Sequence, residues 1–94
     1  MLKYITLPTK GSYSAYDILK TNGFERRETD KETHDKETHE HLISLGVMSS
    51  YTHWYKDNKV YMFSGWEEDE QTGRMADKPR FITALDITDM VKEL

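Results

Sequence analysis

The chain has 94 residues, no cysteine and a formal charge of −4. That length suits a single domain spanning residues 1–94. Without cysteine there is neither a disulfide framework nor a thiolate metal site, and no apolar run approaches the ~20 residues needed to cross a bilayer.

Residues 2–7 read as a first strand, closed by Pro8 and Gly11. Ser14 to Asp17 has the spacing of a capping box and predicts a short helix to about Asn22. Gly23 suits the left-handed position after that helix, with Phe24 placed to fold back onto Leu19. Residues 30–39 repeat one pentapeptide twice, Asp-Lys-Glu-Thr-His. Start signals at Thr29 and Glu32, and i,i+4 pairs of Glu32 with Lys36 and Lys36 with Glu40, predict a helix over 31–45. Only its end, at Leu42, Ile43 and Leu45, is apolar enough to dock. A charged loop leading into a shorter helix is the alternative.

Residues 50–55 and 59–64 are aromatic-rich runs separated at Asp57-Asn58, two residues that tolerate positive φ. They predict a hairpin in which Tyr55 faces Val60 and Trp54 faces Tyr61. Residues 67–79 read as an acidic excursion, either a looser hairpin or an ordered loop, with Gly73 as a turn residue. Residues 81–87 supply another strand, and Thr88 caps a final short helix over Asp89–Glu93. The expected fold is therefore a small α+β domain. It has a mainly antiparallel sheet of about four strands around the central hairpin 50–64, with two or three short helices packed on it.

Alternation along the hairpin places Trp54, Tyr61, Phe63 and Thr52 on one face. Tyr51, His53, Tyr55, Val60 and Met62 fall on the other, and continued alternation assigns Trp66 there too. Neither face is polar, whereas a small antiparallel sheet ordinarily buries one face and wets the other. Either both faces are covered and all these residues are core, or one stays open as a contact surface, where Tyr and Trp are enriched. A homodimer burying that face is a third arrangement.

Charge is distributed unevenly. Removing Glu67, Glu68, Asp69 and Glu70 leaves 13 acids against 13 bases, so the whole net charge sits beside Trp66. No basic stripe remains to follow a phosphate backbone, which disfavours direct nucleic-acid binding. An acidic run at the edge of an aromatic face instead suits encounter with a basic protein surface.

The residues offer little for catalysis. There is no thiol, no nucleophile elbow and no glycine-rich phosphate cradle. His34 and His41 lie seven apart, about 10 Å along a helix and too far to share one ion. His39 and His41 diverge on a helix, and His53 reads as a sheet histidine, so no metal or cofactor is expected.

The expectation is a non-enzymatic, acidic, cytoplasmic protein-binding module, an inhibitor or modulator of the type that phages and mobile elements encode. Its anchors would be Trp54, Tyr61, Phe63 and Trp66, with Glu67, Glu68, Asp69 and Glu70 as the steering rim. The alternative is a small-ligand or nucleotide binder that stacks a base on the aromatic face and holds its phosphate with Arg26, Arg27 or Arg80.

Overall fold

A hairpin with two apolar faces needs cover on both sides, and the fold supplies one helix to each. The structure is a computed structural model that describes residues 2–28, 36–45 and 52–90. In chain order the elements are β1 (Lys3–Pro8), α1 (Ala15–Thr21), β2 (Glu25–Glu28), α2 (Lys36–Ser44), β3 (Thr52–Lys56), β4 (Lys59–Trp66), β5 (Phe81–Asp86) and a 3₁₀ turn (Thr88–Met90). The strands form one antiparallel sheet in the order β1-β5-β4-β3-β2. It is an α+β fold, with five strands where about four were expected.

The hairpin register follows the prediction, with Tyr55 opposite Val60 and Trp54 opposite Tyr61. Asp57 and Asn58 carry φ values of 52° and 61°, the two left-handed residues that a type I′ turn requires. Helix α1 begins where Ser14 accepts the amide N–H of Asp17 at 3.4 Å. It ends in a Schellman motif: Gly23 at φ 89° donates its N–H to the Lys20 carbonyl, and Phe24 donates to the Leu19 carbonyl, each at 3.0 Å. That wrap carries the Phe24 side chain back onto the sheet.

Two buried clusters lie on opposite faces, as strand alternation dictates. On the first, Ile18 and Leu19 of α1 and the wrapped Phe24 pack over Leu7, Trp54, Tyr61, Ile82 and Ala84. On the second, Leu42 of α2 packs with Tyr55, Val60, Met62, Leu85 and Ile87. Burying a single Leu or Ile stabilises by about 1.5–3 kcal/mol, and among the described residues the fully buried helix side chains are Ile18 and Leu19 of α1 and Leu42 of α2. At the α2 end, the Tyr4 hydroxyl donates to the Leu45 carbonyl at 3.1 Å and ties β1 to the helix.

Two differences from the sequence reading have physical causes. Strand β2 is an extra edge strand made wholly of charged residues, so it carries no apolar alternation. Pairing with β3 defines it, and its charges guard the sheet edge. Thr88, expected to cap a helix over Asp89–Glu93, itself opens the 3₁₀ turn Thr88–Met90. Its hydroxyl accepts the Val60 amide at 3.0 Å and donates to Asp86 Oδ1 at 2.6 Å, which commits it to the sheet. Helix α2 starts at Lys36; residues 31–35 of the expected helix, Ser50 and Tyr51 of the hairpin, and residues 91–94 lie outside the described residues.

Candidate functional site

The anchors expected on the hairpin divide into two groups. Trp54 and Tyr61 are only 5% and 8% exposed. Tyr16 packs edge-on against Trp54 at 5.5 Å, and Phe24 packs edge-on against Tyr61 at 5.3 Å. These two residues are core, and the expectation that their face stands open is corrected there. The sequence hinted at the cause: α1 presents Ile18 and Leu19 side by side, and the Schellman wrap adds Phe24. Burial, with Asp86 and Asp57 nearby, also raises the Tyr61 phenol pKa and keeps its proton on.

Phe63 and Trp66 lie farther along the same face and are only half-buried. They share a face because the β4–β5 register shifts between Phe63 and Gly65, so Gly65 pairs with Thr83 and Trp66 with Ile82. Ser64 is the extra residue of this bulge. The Thr83 hydroxyl fixes it, lying 2.8 Å from the Ser64 hydroxyl and donating to the Gly65 carbonyl at 3.3 Å. The assignment of Trp66 to the opposite face is therefore corrected: one extra residue reverses the alternation.

After Trp66 the chain forms an ordered loop. Glu67 N–H donates to the Phe81 carbonyl at 3.0 Å, Ala76 N–H to the Glu67 carbonyl at 2.9 Å, and Glu68 bridges to Met75. At the tip, Asp69 Oδ1 accepts the amides of Gln71 at 2.8 Å and Thr72 at 3.2 Å, and Gly73 takes φ 71°. The four acids of the expected rim thus have different duties. The Glu67 carboxylate takes the Arg80 guanidinium in a two-pronged pair, at 2.6 Å from Nη2, and also accepts the Arg80 amide at 2.9 Å. These bonds hold its pKa below the ordinary carboxylate range. Glu67 therefore closes the loop, while Asp69 shapes the tip; Glu68, Asp69 and Glu70 remain exposed.

Trp66 forms one wall of a cleft of about 270 Å³ completed by Tyr13, Met75, Asp77 and Pro79. Tyr13 and Met75 are 59% and 58% exposed, unusually open for large apolar side chains. Neither was singled out in the sequence reading, because each sits in a loop with no periodicity to mark it. Beside the cleft, the buried Thr9 donates its hydroxyl to the carbonyl of the lining residue Pro79 at 2.9 Å and its amide to the Arg80 carbonyl at 3.0 Å. Those bonds fasten the 9–13 segment to the 79–80 segment.

The arginines of the ligand-binding alternative are not brought together. Arg26 lies over the Tyr16 ring at 5.5 Å, and Arg27 lies over Tyr55 at 4.1 Å. Consecutive residues of a strand point to opposite faces, so this pair is split by the sheet. Arg80 is committed to Glu67. Among the described residues no three His, Asp or Glu side chains gather as a metal site, and no helix is long and apolar enough to cross a membrane. His53 is fully buried in β3, and that burial lowers its pKa to about 4. No protein-family model, curated protein or solved structure matches the chain.

Proposed function

We propose that the chain is a non-enzymatic binding module of the cytoplasm that docks on a basic surface of a partner protein and inhibits or modulates it. The observation that carries this reading is the open apolar cleft at Trp66, continuous along the chain with the exposed acids Glu68, Asp69 and Glu70. Aromatic residues and Met are favoured in contact surfaces, and flanking charge speeds encounter with a surface of opposite sign. The anchors are Trp66 and the neighbouring Phe63 ring edge, joined by Tyr13 and Met75; Trp54 and Tyr61 support them from the core.

The cleft's size favours docking over ligand enclosure. Sites that engulf a small molecule run to about 300–1,000 Å³ and bury most of it. At about 270 Å³, open and without assembled cations, this cleft suits a side chain presented by a larger surface.

The test is capture from host lysate with the wild-type chain and with a Glu68→Gln, Asp69→Asn, Glu70→Gln triple variant. Glu67 is left in place because it closes the loop. Loss of one specific partner with the triple variant supports the reading. Identical recovery by both proteins overturns it, and thermal stabilisation of the chain by a member of a nucleotide panel would redirect it to ligand binding.

A further inference from the structure

We infer that the Trp66 cleft receives a lysine or arginine side chain of the partner, an inference that rests on the docking reading above and specifies its chemistry. The walls are mainly apolar: two aromatic rings, a methionine and a proline, with Asp77 the sole charged group. Asp77 forms no hydrogen bond or ion pair among the described residues. A purely apolar side chain entering the cleft would strip water from that carboxylate and return nothing. An acidic side chain would meet Asp77 and the acids of the adjoining loop with like charge.

A long basic side chain satisfies both parts of the cleft. Its methylene stem lies against Met75, Pro79 and the ring faces, while its cationic head reaches the Asp77 carboxylate. The rings of Tyr13 and Trp66 add the attraction of an aromatic face for a cation. The domain uses the same pairing internally, with Arg27 over Tyr55 at 4.1 Å and Lys20 over Tyr16 at 5.0 Å. The exposed carboxylates of Glu68, Asp69 and Glu70 supplement the field without having to touch the guest.

The test is an NMR titration of the full 15N-labelled chain with N-acetyl-Gly-Gly-X-Gly-Gly amides, where X is lysine, arginine, norleucine or glutamate. The Trp66 indole and the Met75 and Asp77 amides should shift with the lysine and arginine peptides and saturate in the millimolar range, while the Trp54 indole stays fixed. Norleucine has the lysine stem without its charge and should bind several-fold more weakly, and glutamate should not bind. Asp77→Asn should weaken the lysine peptide about five-fold, the scale of one lost charge-assisted contact at an exposed site, and should not weaken norleucine, whose entry no longer strips water from a charge. The unmoved Trp54 resonance in that variant shows that the fold is intact.

Equal binding of norleucine and lysine, or an Asp77→Asn variant that binds lysine like the wild type, overturns the cationic guest while leaving the docking reading standing. If no peptide shifts Trp66, the inference falls. The docking reading falls with it only if the triple acidic variant also captures the same proteins as the wild type.

Discussion

Phe63 and Trp66, three residues apart on one strand, meet edge to face with ring centroids 5.9 Å apart. Regular alternation would put them on opposite sides of the sheet. The bulge at Ser64 brings them together, and the contact divides the hairpin's aromatic surface into a sealed part and an open part. Trp54 belongs to the sealed part and Trp66 to the open one, so truncating each should cost stability unequally. Trp54→Ala should cost about 3–5 kcal/mol, enough to unfold a domain of this size. Trp66→Ala should cost less than about 2 kcal/mol and leave a cooperative transition, while destroying the cleft wall. Urea unfolding of both variants decides this: similar losses would mean that the cleft is part of the core.

The hairpin turn gives a second prediction. Asp57 and Asn58 both occupy left-handed backbone, which costs an ordinary residue about 1–2 kcal/mol. Asn58→Gly should therefore raise stability by several tenths of a kcal/mol, and Asn58→Val should lower it by about 1–2 kcal/mol. Both side chains are exposed, so packing does not compete with the torsional effect. Chemical denaturation of the two variants should move in opposite directions; a loss on Asn58→Gly would contradict the turn geometry.

The same two elements show what was legible in the sequence. Turn, register and Schellman stop are local devices with chemical signatures within a few residues, and each appears where the residues predicted it. Strand β2 and the cleft are not local. Glu25 to Glu28 become a strand only because β3 lies beside them, and Tyr13 lines one cleft with Trp66 where Thr9 fastens to Pro79 and Arg80. The bulge lies between these extremes. A glycine within a strand is a local sign of irregularity, but the reversal at Trp66 is held by the hydroxyl of Thr83, 18 residues from Gly65. The division of the acidic run was equally hidden, because the partner that removes Glu67 from the rim is Arg80, 13 residues on.

That pair yields the third prediction. The folded-state pKa of Glu67 is lowered by the Arg80 hydrogen bonds, so the ionised form is favoured in the native state. The resulting stabilisation is fully present above the ordinary carboxylate pKa and is lost as pH falls through the lower, folded value. Glu67→Gln should melt below the wild type at neutral pH, with the gap narrowing on acidification. Melting curves of both proteins from neutral to acidic pH test this. A gap that stays constant would assign the effect to shape rather than charge. Arg80 is largely exposed, so added salt should also narrow it.

The His53 contribution is also lost on acidification, but there the neutral form is the one the native state favours. Burial lowers its pKa from 6.5 to about 4, so the imidazole is neutral in the native state and the unfolded chain binds its proton first. Stability from this group is complete above the unfolded value of 6.5 and declines as pH falls toward 4, because unfolding then takes up a proton. The full loss corresponds to about 3 kcal/mol, at most ~1.4 kcal/mol per pH unit, a large share of what a small domain possesses. The interval from pH 6.5 down to 5 is the informative one, since most carboxylates remain ionised there. Urea unfolding across it should show wild-type stability falling with pH and a His53→Leu variant nearly flat, whatever that variant's absolute stability. Parallel slopes would place the native-state imidazole in contact with solvent and overturn its assignment to the core.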